Sequence, residues 1–147
     1  MENVEIAKMS IEDLPFVCEI EQKCFSVPFK KEDFISYLND PYWNFLVAKV
    51  DGVVVGYLSY IVLFSEATLV NVAVLPEYRG KKIGQALLHE LVMIADSSEL
   101  TSICLEVRKS NQVAINLYTK YGFVTVGVSK NHYSLPTEDA LRMNLCL

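Results

Sequence analysis

The stretch from Thr68 to Arg108 restricts the fold more than any other. TLVNVAVL (68–75) is a β-branched, apolar run that reads as a strand. Pro76 opens PEYRGKKIG, and Ile83, Leu87, Leu88, Leu91, Ile94 and Ala95 then recur at helical spacing to about Asp96. TSICLEVR (101–108) is a strand again. A strand, a helix and a second strand in this order predict a right-handed crossover between neighbouring parallel strands.

The remaining segments fit around that unit. VEIAKM (4–9) reads as a strand, and Ser10 begins S-I-E-D, a capping-box-like start for a helix to about Cys24. SVPF breaks that helix at Pro28, and KKEDFISYLND gives a second short one before Pro41. FLVAKV and VVVGYLSYIVLF flank Asp51-Gly52, a hairpin signal. SNQVAINLYTKYG reads as a helix stopped by Gly122, and FVTVGVSK and DALRMNLCL as closing strands. The predicted order is β-α-α-β-β-β-α-β-α-β-β. It describes one α+β domain over residues 1–147, a mixed sheet with helices on its faces in a three-layer arrangement. At 147 residues the chain buries enough surface to fold without metal or disulfide staples.

Charge narrows the partners. The formal net charge of −5 argues against a general nucleic-acid binder, which needs a basic face. Apolar runs of about a dozen residues are too short to span a bilayer, and no basic segment followed by an apolar one marks a signal peptide. The four cysteines (Cys18, Cys24, Cys104, Cys146) form no C-x-x-C pair and no zinc spacing. They read as reduced, buried thiols of a cytoplasmic protein.

Against this acidic background Arg79, Lys81 and Lys82 cluster in one loop before a helix. The first N–H groups of that helix lack intrahelical partners and sit at the positive end of its dipole. Gly80 and Gly84 let an anion approach the backbone. The pattern is neither G-x-G-x-x-G nor a P-loop, so the residues themselves imply a small phosphate-bearing ligand and go no further. A solvated loop is the ordinary alternative.

Two further residues carry chemistry. Alternation in I-C-L-E-V-R puts Cys104, Glu106 and Arg108 on one face, opposite Ile103, Leu105 and Val107. A carboxylate inside an apolar strand is either paired with Arg108, exposed at an edge, or functional. In N-Q-V-A-I-N-L-Y, Tyr118 shares a helical stripe with Ala114, Leu117 and Tyr121, as a core residue or an acid. His89, mid-helix, reads as solvent-facing.

The strings L-V-N-V-A-V-L-P-E-Y-R-G-K-K-I-G-Q-A-L-L and L-E-V-R-K-S-N-Q-V-A-I-N-L-Y-T-K-Y-G-F resemble the GNAT acetyltransferase superfamily. With C-F-S-V-P-F, N-H-Y and E-D-A-L-R-M, the likeness narrows to its RimI branch, the ribosomal-protein alanine N-acetyltransferases, and covers nearly the whole chain. It implies a mostly antiparallel central sheet. It also implies acetyl-CoA, with its pyrophosphate on the backbone N–H groups of Arg79, Gly80, Lys81, Lys82, Ile83 and Gly84. Backbone donors around Val72, Ala73 and Val74 would hold the oxyanion, and Asn111 the pantetheine. The likeness further implies Glu106 as general base and Tyr118 as general acid, without a metal. The acceptor would be a protein α-amine, that of ribosomal protein S18, lying between a Pro28-Phe29 loop and an Asn131-His132-Tyr133 loop. Two departures stand out: Lys82 replaces a glycine of the family loop, and Phe29 a frequent tryptophan.

The chemistry is consistent with those roles. An α-amine titrates near 8, so a carboxylate can relieve it of a proton at neutral pH. His132 is a candidate second proton acceptor or a groove-lining residue. Acetylation of a small amine or of lysine side chains is the competing activity. A non-catalytic acetyl-CoA sensor would need neither Glu106 nor Tyr118.

Overall fold

The computed structural model describes residues 3–147. Its elements follow the predicted order: β1 (Val4–Lys8), α1 (Leu14–Cys24), α2 (Lys31–Leu38), β2 (Trp43–Val50), β3 (Val53–Leu63), β4 (Glu66–Val74), α3 (Ile83–Ser97), β5 (Ser102–Arg108), α4 (Gln112–Lys120), β6 (Val124–Tyr133) and β7 (Glu138–Cys146). Seven strands form one sheet in the order β1-β2-β3-β4-β5-β7-β6. Every pairing is antiparallel except β4 with β5, the strands joined by α3. The hairpin turn has positive φ at both Asp51 (50°) and Gly52 (81°), the mirror-image turn that matches strand twist.

Each face of the sheet has its own core. Ile83, Leu87, Leu88 and Leu91 of α3, with Tyr118 of α4, pack on Leu46, Leu58, Leu69, Ile103, Leu105 and Val107. On the other face Leu14, Val17 and Ile20 of α1 and Phe34 of α2 cover Phe45, Val47, Tyr57 and Ala73. That second cluster touches β1, β2, β3 and β4 but not β5. The face of β5 that carries Glu106 therefore lies beside α1 rather than beneath it. A single 3-10 turn, Ile11–Asp13, leads into α1, and its start is set locally: Ser10 donates from N–H and hydroxyl to Asp13 Oδ2, at 2.9 and 3.0 Å.

The β4–β5 ladder is short. Its four pairs run from Glu66↔Ser102 to Leu69↔Leu105, while β4 continues to Val74 and β5 to Arg108. Beyond Leu69 the strands part. A register shift between Ser59 and Tyr60, where β3 meets β4, bends the sheet at the same level.

Three expectations need correction. Asn131, His132 and Tyr133 belong to β6 rather than to a loop, because β6 continues past an irregularity between Ser129 and Tyr133 before pairing again with β7. The cysteines are free but not buried: Cys18, Cys24 and Cys104 are half-buried and Cys146 is exposed. The third β-run begins at Glu66, two residues before Thr68. No helix among the described residues is long and apolar enough to cross a membrane.

Candidate active site

The gap between β4 and β5 opens into a cleft of about 760 Å³. Glu106 and Arg108 of β5, Val70, Asn71 and Val72 of β4, Asn111 and Tyr118 of α4, and His132 and Tyr133 of β6 line it. Glu21, Cys24 and Phe29 close it from α1 and the segment that follows. The fold thus brings together both proton-transfer candidates, Asn111, and part of each acceptor-side pair. Pro28, Asn131 and Ala73 are not among the lining residues, nor are Val74 and the loop 79–84.

Ladder alternation shows which donors face the gap. Leu75 N–H donates to Val55 O at 2.9 Å, so Ala73 and Asn71, two and four residues back, also turn their backbone groups toward β3. Val72 and Val74 turn theirs the other way, toward β5. Val74 O is occupied: Arg79 Nε donates to it at 3.1 Å, and the Cys24 thiol approaches at 3.5 Å.

Arg79 is used differently from the sequence-based expectation. Its side chain folds back on the end of β4 and Cys24, and its N–H donates to Pro76 O at 3.3 Å. The backbone N–H and Nε are thus engaged within the protein. The first helical bond of α3 runs from Ala86 N–H to Lys82 O. The N–H groups of Ile83, Gly84 and Gln85 precede that ladder, and they are the donors a pyrophosphate would meet.

Lys82 caps α3 in the left-handed region, at φ 62° and ψ 24°, and Gly80 is left-handed too, at φ 78°. A side chain in that conformation costs about 1–2 kcal/mol, partly offset because glycine loses more chain entropy on folding. Lys82→Gly should therefore raise the unfolding free energy by about 1 kcal/mol in a denaturant titration. Lys82→Ala keeps the strained backbone and should give no gain.

The two proton-transfer candidates differ in environment. Glu106 is 38% exposed at its side chain, and His132 Nδ1 lies 3.2 Å from its Oε2. Arg108 is engaged elsewhere: it pairs with Glu138 at 3.3 Å, donates to Pro136 O and Ser134 O, and lies over the Tyr133 ring. The simple Glu106–Arg108 salt bridge is therefore not what holds Glu106. Tyr118 is 5% exposed, and burial, with Tyr133 adding to it, pushes its phenol above the usual tyrosine range. Burial and the nearby Glu106 carboxylate push Tyr133 up to about 12. Asn111 caps α4 by accepting from Ala114 N–H at 3.2 Å, leaving its amide N–H groups for a ligand.

Sequence reading missed Glu21. It is 1% exposed at the cleft wall, and burial raises its pKa. The Tyr57 hydroxyl donates to its Oε2, Phe29 N–H to its Oε1 at 3.0 Å, and Asn71 Nδ2 reaches Oε1 at 3.4 Å. One carboxylate so ties α1, the segment after it, β3 and β4 together. With its folded pKa above the unfolded one, Glu21 favours the fold most at acid pH. Its contribution falls as pH rises through the carboxylate range. The Phe29 ring packs edge-on against Phe34, Tyr37 and Trp43, so the segment is anchored from below as well.

Known proteins resemble this chain in sequence and in fold. The Acetyltransferase (GNAT) family model matches residues 14–123. The chain is 37% identical over 139 residues to a Bacillus subtilis (strain 168) protein named as a candidate [ribosomal protein bS18]-alanine N-acetyltransferase, covering 94% of this chain and 92% of that one. It is 35% identical over 144 residues to the [ribosomal protein bS18]-alanine N-acetyltransferase of Escherichia coli (strain K12), covering 95% of each. The crystal structure of the Escherichia coli ribosomal-protein-S18-alanine N-acetyltransferase superposes with a TM-score of 0.92 at 31% identity, over 98% of this chain and 94% of that one. The chain belongs to the GNAT family of acetyltransferases.

Proposed function

We propose that this protein transfers the acetyl group of acetyl-CoA to the α-amine of a protein N-terminus, and that the acceptor is the N-terminal alanine of ribosomal protein S18. One observation carries the reading: a carboxylate and a buried phenol line a single cleft where β4 and β5 part, and α3 begins against Val74, two residues along β4 from the cleft-lining Val72. That geometry suits a diphosphate at Ile83, Gly84 and Gln85 with its acyl arm in the gap. Glu106 takes the proton of the acceptor amine. The neutral amine attacks the thioester carbonyl, Val72 N–H faces the developing oxyanion, and Tyr118 hydrogen-bonds the departing sulfur. Asn111 holds the pantetheine arm. The acceptor backbone lies between the segment around Pro28 and Phe29 and the stretch Asn131, His132 and Tyr133. The whole chain acts as one catalytic domain, and an S18 acceptor places it in the cytoplasm.

The test is release of free CoA thiol from acetyl-CoA over peptides beginning with Ala, Ser, Gly or Met. A blocked N-terminus and a peptide with one internal lysine complete the panel, and mass spectrometry locates the acetyl group. The expected result is turnover on the Ala peptide with the acetyl group on its α-nitrogen, and none on the blocked one. Turnover confined to lysine side chains or free small amines would overturn the acceptor assignment.

A further inference from the structure

Glu106 stands on β5 and His132 on β6, with β7 between them in the sheet. They meet because β6 leaves register with β7 between Ser129 and Tyr133. Asn131 turns left-handed there, at φ 52°, and its N–H donates to Asp139 Oδ1 at 2.9 Å. The kink carries the His132 imidazole across β7 to within 3.2 Å of Glu106 Oε2. Arg142, directly opposite Glu106 on β7, is the residue expected to pair with it. Its guanidinium instead lies against Gly127, in the space a side chain at that glycine would occupy. Glu106 and His132, with Val70, Asn71 and Tyr133, line two spaces: the cleft with Tyr118, and a second cavity of about 520 Å³ that Thr68, Cys104, Arg142 and Asn144 also line.

We propose that His132 is the positioning residue of the base. Its Nδ1–H donates to Glu106 Oε2, fixes the carboxylate and leaves Oε1 free for the acceptor amine. The proposal rests on the reading of Glu106 as base. The proton taken from the ammonium passes to Glu106 and then to water in the second cavity.

Other ionisable groups face the pair. β5 contributes Arg108 and Cys104, β7 Arg142 and Glu138, β6 Tyr133, α4 Tyr118 and α1 Glu21 and Cys24. Arg108 and Glu138 neutralise one another, and burial raises both tyrosines, so both phenols keep their protons at neutral pH. β4 contributes Thr68 and Asn71, which do not titrate.

The test is steady-state kcat and KM at about pH 8, with acetyl-CoA saturating and one Ala peptide varied, for the wild type, His132→Asn, His132→Phe and Glu106→Gln. Asparagine can donate from the same place as Nδ1, whereas phenylalanine keeps a ring without a donor. The expected result is that His132→Phe loses about tenfold in kcat, that His132→Asn recovers most of that loss, and that KM for the peptide moves little in either. A His132→Asn variant that loses about tenfold or more in kcat, or a loss in either variant confined to KM, overturns the proposal. The His132→Asn arm decides the matter even if His132→Phe does not fold. A wild-type rate in Glu106→Gln sinks the base assignment itself. Loss of rate in Glu106→Gln with a wild-type kcat in His132→Phe sinks only the role of His132.

Discussion

Glu106→Gln is expected to lower kcat on an N-terminal peptide by about 10²- to 10³-fold at pH 7, with acetyl-CoA affinity little changed. Glutamine keeps the size of the side chain and can still meet the imidazole, so the cleft keeps its shape. What it loses is the capacity to take a proton. The acceptor α-amine has a pKa near 8, so the fraction already neutral rises about tenfold per pH unit below that value. The defect should shrink as pH rises from 7 to 9, because an amine that arrives neutral needs no base. Steady-state kcat and KM over this range, with acetyl-CoA binding measured by titration, check it. A defect of constant size across the range would mean that Glu106 orients the acceptor instead of deprotonating it.

Tyr118→Phe is the second large effect, about 10²-fold in kcat, with acetyl-CoA binding nearly intact. The phenol is buried and its pKa is raised, so it carries its proton throughout the working range. No basic limb should come from this residue below about pH 10. The same burial makes the phenol a reluctant acid toward a thiolate, whose pKa is near 8.5. Its service to the leaving sulfur is therefore a hydrogen bond that strengthens as charge develops, with the proton following late. Rapid-mixing measurement of CoA release should show the acyl-transfer step slowed, while KM for acetyl-CoA moves little. Loss of acetyl-CoA binding in Tyr118→Phe would instead assign the residue to the wall of the cofactor site.

Local rules made much of the fold legible. The strand-helix-strand unit from Thr68 to Arg108, the Asp51-Gly52 turn, the Ser10 start and the Gly122 stop each follow from a few adjacent residues, and all form, although β4 begins two residues early and α1 only at Leu14. The face of β5 bearing Glu106 was legible for the same reason, since alternation needs only one strand. What stayed hidden depends on distant residues. Glu21 looks like any polar helix position until Tyr57 and Asn71, 36 and 50 residues away, close over it. His132 meets Glu106 only because of a register break in β6, and nothing in S-K-N-H-Y announces one. Arg79 looked like a phosphate ligand by its letter, but the carbonyl at the end of β4 claims it first. Lys82 was legible as a departure from the family pattern, while its left-handed backbone, which says what the departure costs, was not.

Because β4 and β5 separate after Leu69, Val72 and Val74 turn main-chain N–H groups toward whatever enters the wedge. A guest with amides of its own can extend the ladder there as an eighth, non-protein strand. Such a contact is blind to side-chain identity. Exchanging Val72 for isoleucine should pass unnoticed, whereas proline at the same place would remove the one atom that matters. The most discriminating part of the molecule is thus written in its least distinctive letters.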